Sequence, residues 1–130
     1  MGNTLRVYSY EEAKKLVPEL ERALRQMQEA ARGLKEVKRR LTEARPGTPE
    51  HRGLETELRF LERALEADRA WLEAQGVLLR DLEEGIVDIP FKREGELVYL
   101  TWKTGEAAPA RWHAVTAPPD ESQPLDKGAP

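Results

Sequence analysis

Apolar residues recur on a helical period from Ala13 through Val17, Leu20, Leu24, Met27, Ala31, Leu34 and Leu41, with Lys38 as a polar intrusion. The spacing alternates between four and three, which is the seam of a coiled coil. Ser9 precedes this run with Glu12 three residues on, a capping box, and Tyr8 and Ala13 stand where its hydrophobic staple belongs. Pro18 lies inside the pattern and removes one main-chain hydrogen bond, so a kink is expected there. In Arg45-Pro46-Gly47-Thr48-Pro49 the glycine suits a helix stop, the threonine a cap and the last proline a first helical turn. A second helix follows, with Leu54, Leu58, Leu61, Leu65, Asp68, Leu72 and Gln75 on one seam. Phe60, Ala64, Ala67, Trp71 and Ala74 form a stripe beside it, and Gly76 stops the helix.

So short a connection predicts antiparallel neighbours, helix one over 9–45 and helix two over 49–75. At 1.5 Å per residue they would be roughly 50 and 40 Å long. The rest of the chain is too short to cover both, and the extra stripe on helix two needs a partner: a folded-back C-terminal region or, the favoured reading, a homodimer forming a four-helix bundle. After Gly76 the period changes. Val77 to Leu82 is a short strand or turn, while Ile86–Phe91, Leu97–Trp102 and Arg111–Val115 read as extended, with turns at 93–96 and 104–106. Leu5 to Tyr8 is a candidate edge strand. The expected fold is α+β and mainly α: one domain over 1–116, a long helical hairpin carrying a small antiparallel β unit over 77–116. A flexible Pro-rich tail over 117–130 completes it.

Charge alters this picture in one respect. Residues 11–45 hold ten Lys/Arg and seven Glu, whereas residues 50–84 hold five Arg and ten Asp/Glu. A basic arm against an acidic one favours the hairpin and disfavours pairing of each arm with its own copy. The chain is 35% charged with a net charge of −3, and it contains one Asn, four Gln, two Met and no Cys. That scarcity of heat-labile residues suits a thermophile, and no disulfide or thiolate chemistry is available. Apolar runs are far shorter than the roughly 20 residues a spanning helix needs, and no secretory leader is evident, so a cytoplasmic location is expected.

The order Tyr8-Ser9-Tyr10-Glu11-Glu12-Ala13, Leu16-Val17-Pro18-Glu19-Leu20, Gly76-Val77, Arg80-Asp81-Leu82 and Gly85-Ile86-Val87-Asp88-Ile89-Pro90 resembles a bacterial family, domain of unknown function 2203 (DUF2203). So do Val98-Tyr99-Leu100-Thr101-Trp102-Lys103, Gly105-Glu106 and Trp112-His113. The resemblance spans most of residues 4–115 and implies no particular activity. Members commonly have Cys where this chain has Thr101, which argues against a required thiol. An Arg near the final Pro-Leu is also usual, where this chain has Ser122-Gln123.

Asp88, Glu106 and His113, with Trp102 and Trp112, are the most chemically suggestive residues. Two carboxylates and an imidazole suit a divalent metal or acid/base work. The structural alternative has Asp88 turning the backbone, Glu106 pairing with Arg111 or Lys103, and His113 bonding at the sheet surface. For the tryptophans, stacking on a ligand competes with packing between sheet and helices. Trp71 is read as an interhelical anchor and His51 as a surface residue. Lys35, Lys38, Arg39 and Arg40 crowd one end of helix one, yet an acidic chain without interleaved aromatics disfavours nucleic acid. Ser9 and Ser122 sit in no nucleophile elbow, and no P-loop or dinucleotide fingerprint exists. The expected function is a non-enzymatic structural or protein-interaction module. It would oligomerise through its hairpin and present Trp102, Glu106, Trp112 and His113 to a protein partner, with no cofactor. The alternative is a metal- or small-ligand-binding domain, conceivably an enzyme, using Asp88, Glu106 and His113.

Overall fold

The computed structural model describes residues 6–125. Helix α1 spans Tyr10–Glu43 and α2 spans Pro49–Ala74; the strands are β1 Leu78–Asp81, β2 Ile86–Arg93, β3 Glu96–Lys103, β4 Arg111–Ala114 and β5 Gln123–Pro124. The helices pack on each other as an antiparallel hairpin, and the strands form one meander in the order β1-β2-β3-β4-β5, every pair antiparallel.

Local chemistry sets the helix ends. Ser9 Oγ accepts the Glu12 N–H at 3.1 Å while Glu12 Oε1 accepts the Ser9 N–H at 2.9 Å, so two otherwise orphaned donors are satisfied reciprocally. Thr48 caps α2 by accepting the His51 N–H, and Pro49 occupies its first turn. At the other end Gly76 takes a φ of 76°, letting Val77 N–H reach Leu72 O and Gly76 N–H reach Glu73 O. That pair of bonds is a Schellman stop. Helix α1 continues through Pro18.

The buried seam of α1 differs from the expected one. Leu16, Leu20, Ala23, Met27, Ala30, Leu34 and Val37 are buried at alternating spacings of four and three, while Lys38 is exposed and Ala31 only half-buried. Ala13, Val17, Leu20 and Leu24 belong to a second face, sharing one core cluster with Val87, Ile89, Phe91, Val98, Leu100 and Trp102 of the sheet. The first half of α1 therefore has two neighbours, α2 and the sheet. Its second half lies beyond that shared core, with Gly33 backing closely onto Leu61 of α2.

Charge pairing between the arms is also corrected. The ion pairs on the helices, Arg25–Glu21, Arg39–Glu36, Arg39–Glu43, Arg40–Glu36, His51–Glu55, Arg69–Glu66 and Arg69–Glu73, all join residues three or four apart in one helix. Apolar burial holds the hairpin, and the opposite charges of its arms supply only a diffuse background.

Tyr8 extends the sheet edge by one parallel bridge to Phe91, its N–H donating to Pro90 O at 2.9 Å; Leu5 lies outside the described residues. The Tyr8 hydroxyl donates to Gln75 O at 2.6 Å, and burial pushes its ionisation above the ordinary range. From residue 117 a flexible tail was expected. Up to residue 125 the chain instead makes a one-turn 3-10 helix at Pro119–Glu121, adds β5 to β4, and packs Leu125 against the core. Residues 126–130 lie outside the described residues.

Gly85 closes the β1–β2 connection at a φ of 74°, and a Cβ there would stand 2.4 Å from Thr104 Oγ1. Gly85→Ala is expected to cost about 2–4 kcal/mol, from backbone strain plus the clash. Urea denaturation would show this. Adding Thr104→Gly should recover only the steric part, and an unchanged midpoint in the single variant would refute the reading.

Candidate functional site

Alternation along β2 directs Val87, Ile89 and Phe91 into the helix-facing core, so Asp88 points to the opposite face of the sheet. Register then assembles its neighbours. Asp88 stands between Leu78 of β1 and Thr101 of β3, with Arg111 of β4 beyond; the next row is Pro90, Tyr99 and His113. In β1 the register shifts between Leu79 and Asp81, leaving Arg80 as the extra residue of a bulge. A bulge re-aims the side chain it carries.

The result is a carboxylate with three partners. Arg80 Nε donates to Asp88 Oδ2 at 2.6 Å, His113 Nε2 lies 2.8 Å from the same oxygen, and Thr101 Oγ1 donates to Oδ1 at 3.0 Å. Asp88 is 0% exposed and His113 1%. Such burial is tolerable for a charged group only because each oxygen is bonded. His113 Nδ1 sits 2.8 Å from Ala114 O, so both ring nitrogens are engaged and none is presented to a ligand. The Tyr99 ring lies 5.6 Å from the imidazole and 5.4 Å from the Arg80 guanidinium carbon. Arg80 itself remains 35% exposed.

Glu106 does not join this group. Its Oε1 accepts the Lys103 N–H at 3.1 Å and its backbone oxygen accepts Trp102 Nε1–H at 2.9 Å, which fixes the turn after β3. Among the described residues no three His, Cys, Asp or Glu side chains converge to hold a metal ion. The same turn is tied to α1, since Gly105 N–H donates to Glu21 Oε1 at 2.9 Å. That bond, helped by Arg25, holds Glu21 below the ordinary carboxylate range.

The expected display of Trp102, Trp112 and His113 on a surface is corrected by burial. Trp102 is 0% exposed within the core. Trp112, half-buried, packs on the core side of β4 beneath the Arg93 guanidinium, 4.4 Å from its ring, and its Nε1 is buried without a hydrogen-bond partner. Both face the helices because their strand positions alternate with the outward ones. A groove of about 230 Å³ beside Thr101 is lined by Ile86, Lys103, Glu106, Arg111 and Pro119 among others. Both of its cations are already engaged: Arg111 with Ser122, Lys103 with Glu84.

The basic cluster on α1 divides in two. Arg39 and Arg40 bind Glu36, whose carboxyl is lowered to about 2, chiefly by the Arg39 hydrogen bond. Lys35 lines a cleft of about 450 Å³ with Arg32, where Gln28 Nε2 donates to Leu82 O and Glu83 O. Lys38 is exposed, and His51 is half-buried near Glu55. No helix among the described residues is long and apolar enough to cross a membrane.

Sequence reasoning found Asp88 and His113 but missed Arg80, Thr101 and Tyr99. An aspartate in the middle of an apolar strand is a usable signal, because such a residue must find donors across the sheet. Arg80 gave no such signal, since its placement depends on a bulge.

One family model matches the chain, over residues 6–125; its description is "Uncharacterized conserved protein (DUF2203)". No curated protein and no solved structure matches.

Proposed function

The chain therefore belongs to the DUF2203 family, and for this member we propose a non-enzymatic structural role, in which the hairpin pairs with a second copy of itself through α2. One observation carries the reading. Ten residues of α1 are buried but only Leu54 and Leu72 of α2 are, and Phe60 is 69% exposed. Phe60, Ala64, Ala67 and Trp71 lie on one side of α2, turned about 100° from its seam with α1.

The stripe is also symmetric. About a point midway between Leu65 and Glu66, Phe60 exchanges with Trp71 and Ala64 with Ala67. An antiparallel copy related by a two-fold axis would set each Phe60 against the partner's Trp71, with four alanines at the closest approach. Self-complementarity of this kind is what an isologous interface requires. On the flank, Arg59 and Arg63 precede the centre while Glu66 and Glu73 follow it, so the copy would bring opposite charges together.

Light scattering over a dilution series tests this. A mass of twice 14.8 kDa is expected at tens of micromolar. Phe60→Glu should give a folded monomer by circular dichroism, because it buries an unpaired charge at the symmetric contact. A monomeric parent chain at every concentration would exclude the pairing, and a dimeric Phe60→Glu variant would exclude this surface.

A further inference from the structure

We propose that Arg80 is a carboxylate-binding residue, its guanidinium held by buried Asp88 so that the two terminal nitrogens face solvent beside Tyr99 and Leu78. The argument begins with the fork. Nε is committed to Asp88 at 2.6 Å, while Nη1 and Nη2 have no partner among the described residues. What remains is the end-on edge of the guanidinium, whose two parallel N–H groups match the two oxygens of a carboxylate.

Preorganisation is the second element. Asp88 is 0% exposed and fixed in turn by Thr101 and His113, and the guanidinium lies over the Tyr99 ring. An arginine already held in this way loses less side-chain entropy when it captures an anion than a free surface arginine does. The bulge in β1 puts the side chain there, at the cost of an unpaired backbone position, which is a device common next to binding sites.

Charge selects the ligand class. Two other cations of this sheet face are engaged: Arg111 bonds to Ser122 and Lys103 pairs with Glu84. Lys92 stands four residues along β2 from Asp88, about 13 Å away at the rise of a strand. One available fork suits a monoanion better than a doubly charged phosphate. The surroundings are apolar, with Leu78 38% exposed and directly across from Asp88, and Tyr99 half-buried. The ligand is therefore a small monocarboxylate carried on an apolar or aromatic group.

Sodium benzoate is a suitable probe, titrated into ¹⁵N-labelled full chain and followed by NMR at the Arg80 Nε–H and the backbone of β1 to β3. Saturable shifts confined to this face are expected, with a dissociation constant on the order of millimolar. Arg80→Lys keeps the charge but loses the fork and should weaken binding at least about tenfold. Leu78→Glu, which places an anion beside the fork while leaving Arg80 itself in place, should abolish it and serves if Arg80→Lys does not fold. Shifts linear to the end of the titration, or unchanged in either folded variant, would overturn the proposal. So would inorganic phosphate binding more tightly than benzoate.

Discussion

Asp88→Ala is expected to lower the stability of the fold by about 3 kcal/mol or more, although the substitution removes no apolar contact of the main core. The loss arises from what remains. His113 Nε2, 2.8 Å from the carboxylate and 0% exposed by side chain, would face a void, and the Thr101 hydroxyl would lose its acceptor. Arg80 is partly exposed and can turn to water, which limits the cost to the lower end of the range for a broken buried pair. Asp88→Asn keeps an acceptor oxygen and the volume, so a smaller loss of about 1–2 kcal/mol is expected. Guanidinium denaturation monitored by circular dichroism measures both. If Asp88→Ala sits within about 0.5 kcal/mol of the parent, as an ordinary surface change would, the carboxylate is not the hub of that face.

Trp102→Ala should be at least as severe, about 3–5 kcal/mol, because a large ring is deleted from a site that cannot collapse. Trp102 is 0% exposed and shares its core cluster with Leu20 and Leu24 of α1 and Val87 of β2. The change also removes the N–H that donates to Glu106 O at 2.9 Å, and with it the anchor of the turn after β3. Trp102→Phe separates the two effects: it retains most of the ring and loses the hydrogen bond, so about 1–2 kcal/mol is expected from the bond and the smaller ring. Domain stabilities are commonly about 5–15 kcal/mol, so the alanine variant removes roughly a third to a half of a mid-range value. Fluorescence-detected unfolding with a midpoint close to that of the parent chain would contradict the packing described.

The two predictions concern residues of unequal legibility. For Trp102 the sequence left two places open, display to a partner and packing between sheet and helices; the expected display is wrong and the packing is where it lies. Asp88 was recognisable by residue type, but its partners were not. Glu106 looked like the second carboxylate of a site because carboxylates are interchangeable in a list of residues. In space it serves the turn after β3, where its side chain accepts the Lys103 N–H and its backbone oxygen accepts the Trp102 indole N–H. Arg80 supplies the partner that Glu106 was expected to be, with the opposite charge. That exchange replaces a metal-ligating pattern with an anion-facing one.

The heptad on α1 shows a similar division. Its period was legible, but the expected seam merged two faces, because a helix with two neighbours buries more than one stripe and no single-period reading tells them apart. Lys38 looked like an intrusion only on the merged seam. Similarly, opposite net charges on the two arms suggested pairing between them, while the ion pairs that form are three or four residues apart within one helix. Neighbours along a helix meet at no further cost in chain entropy.

The sequence by itself determined the helix ends, the hairpin, the positions of β2, β3 and β4 and the extra apolar stripe on α2, because capping, turn formation and periodicity depend on residues within a few positions of one another. Only the tertiary structure decided which face of α1 meets the sheet, that Gln123 and Pro124 add a fifth strand to it, and that Asp88 gathers Arg80, Thr101 and His113. Those outcomes depend on strand register and on one bulge. A shift of one residue in either would turn each side chain to the opposite face, and nothing local in the sequence fixes it.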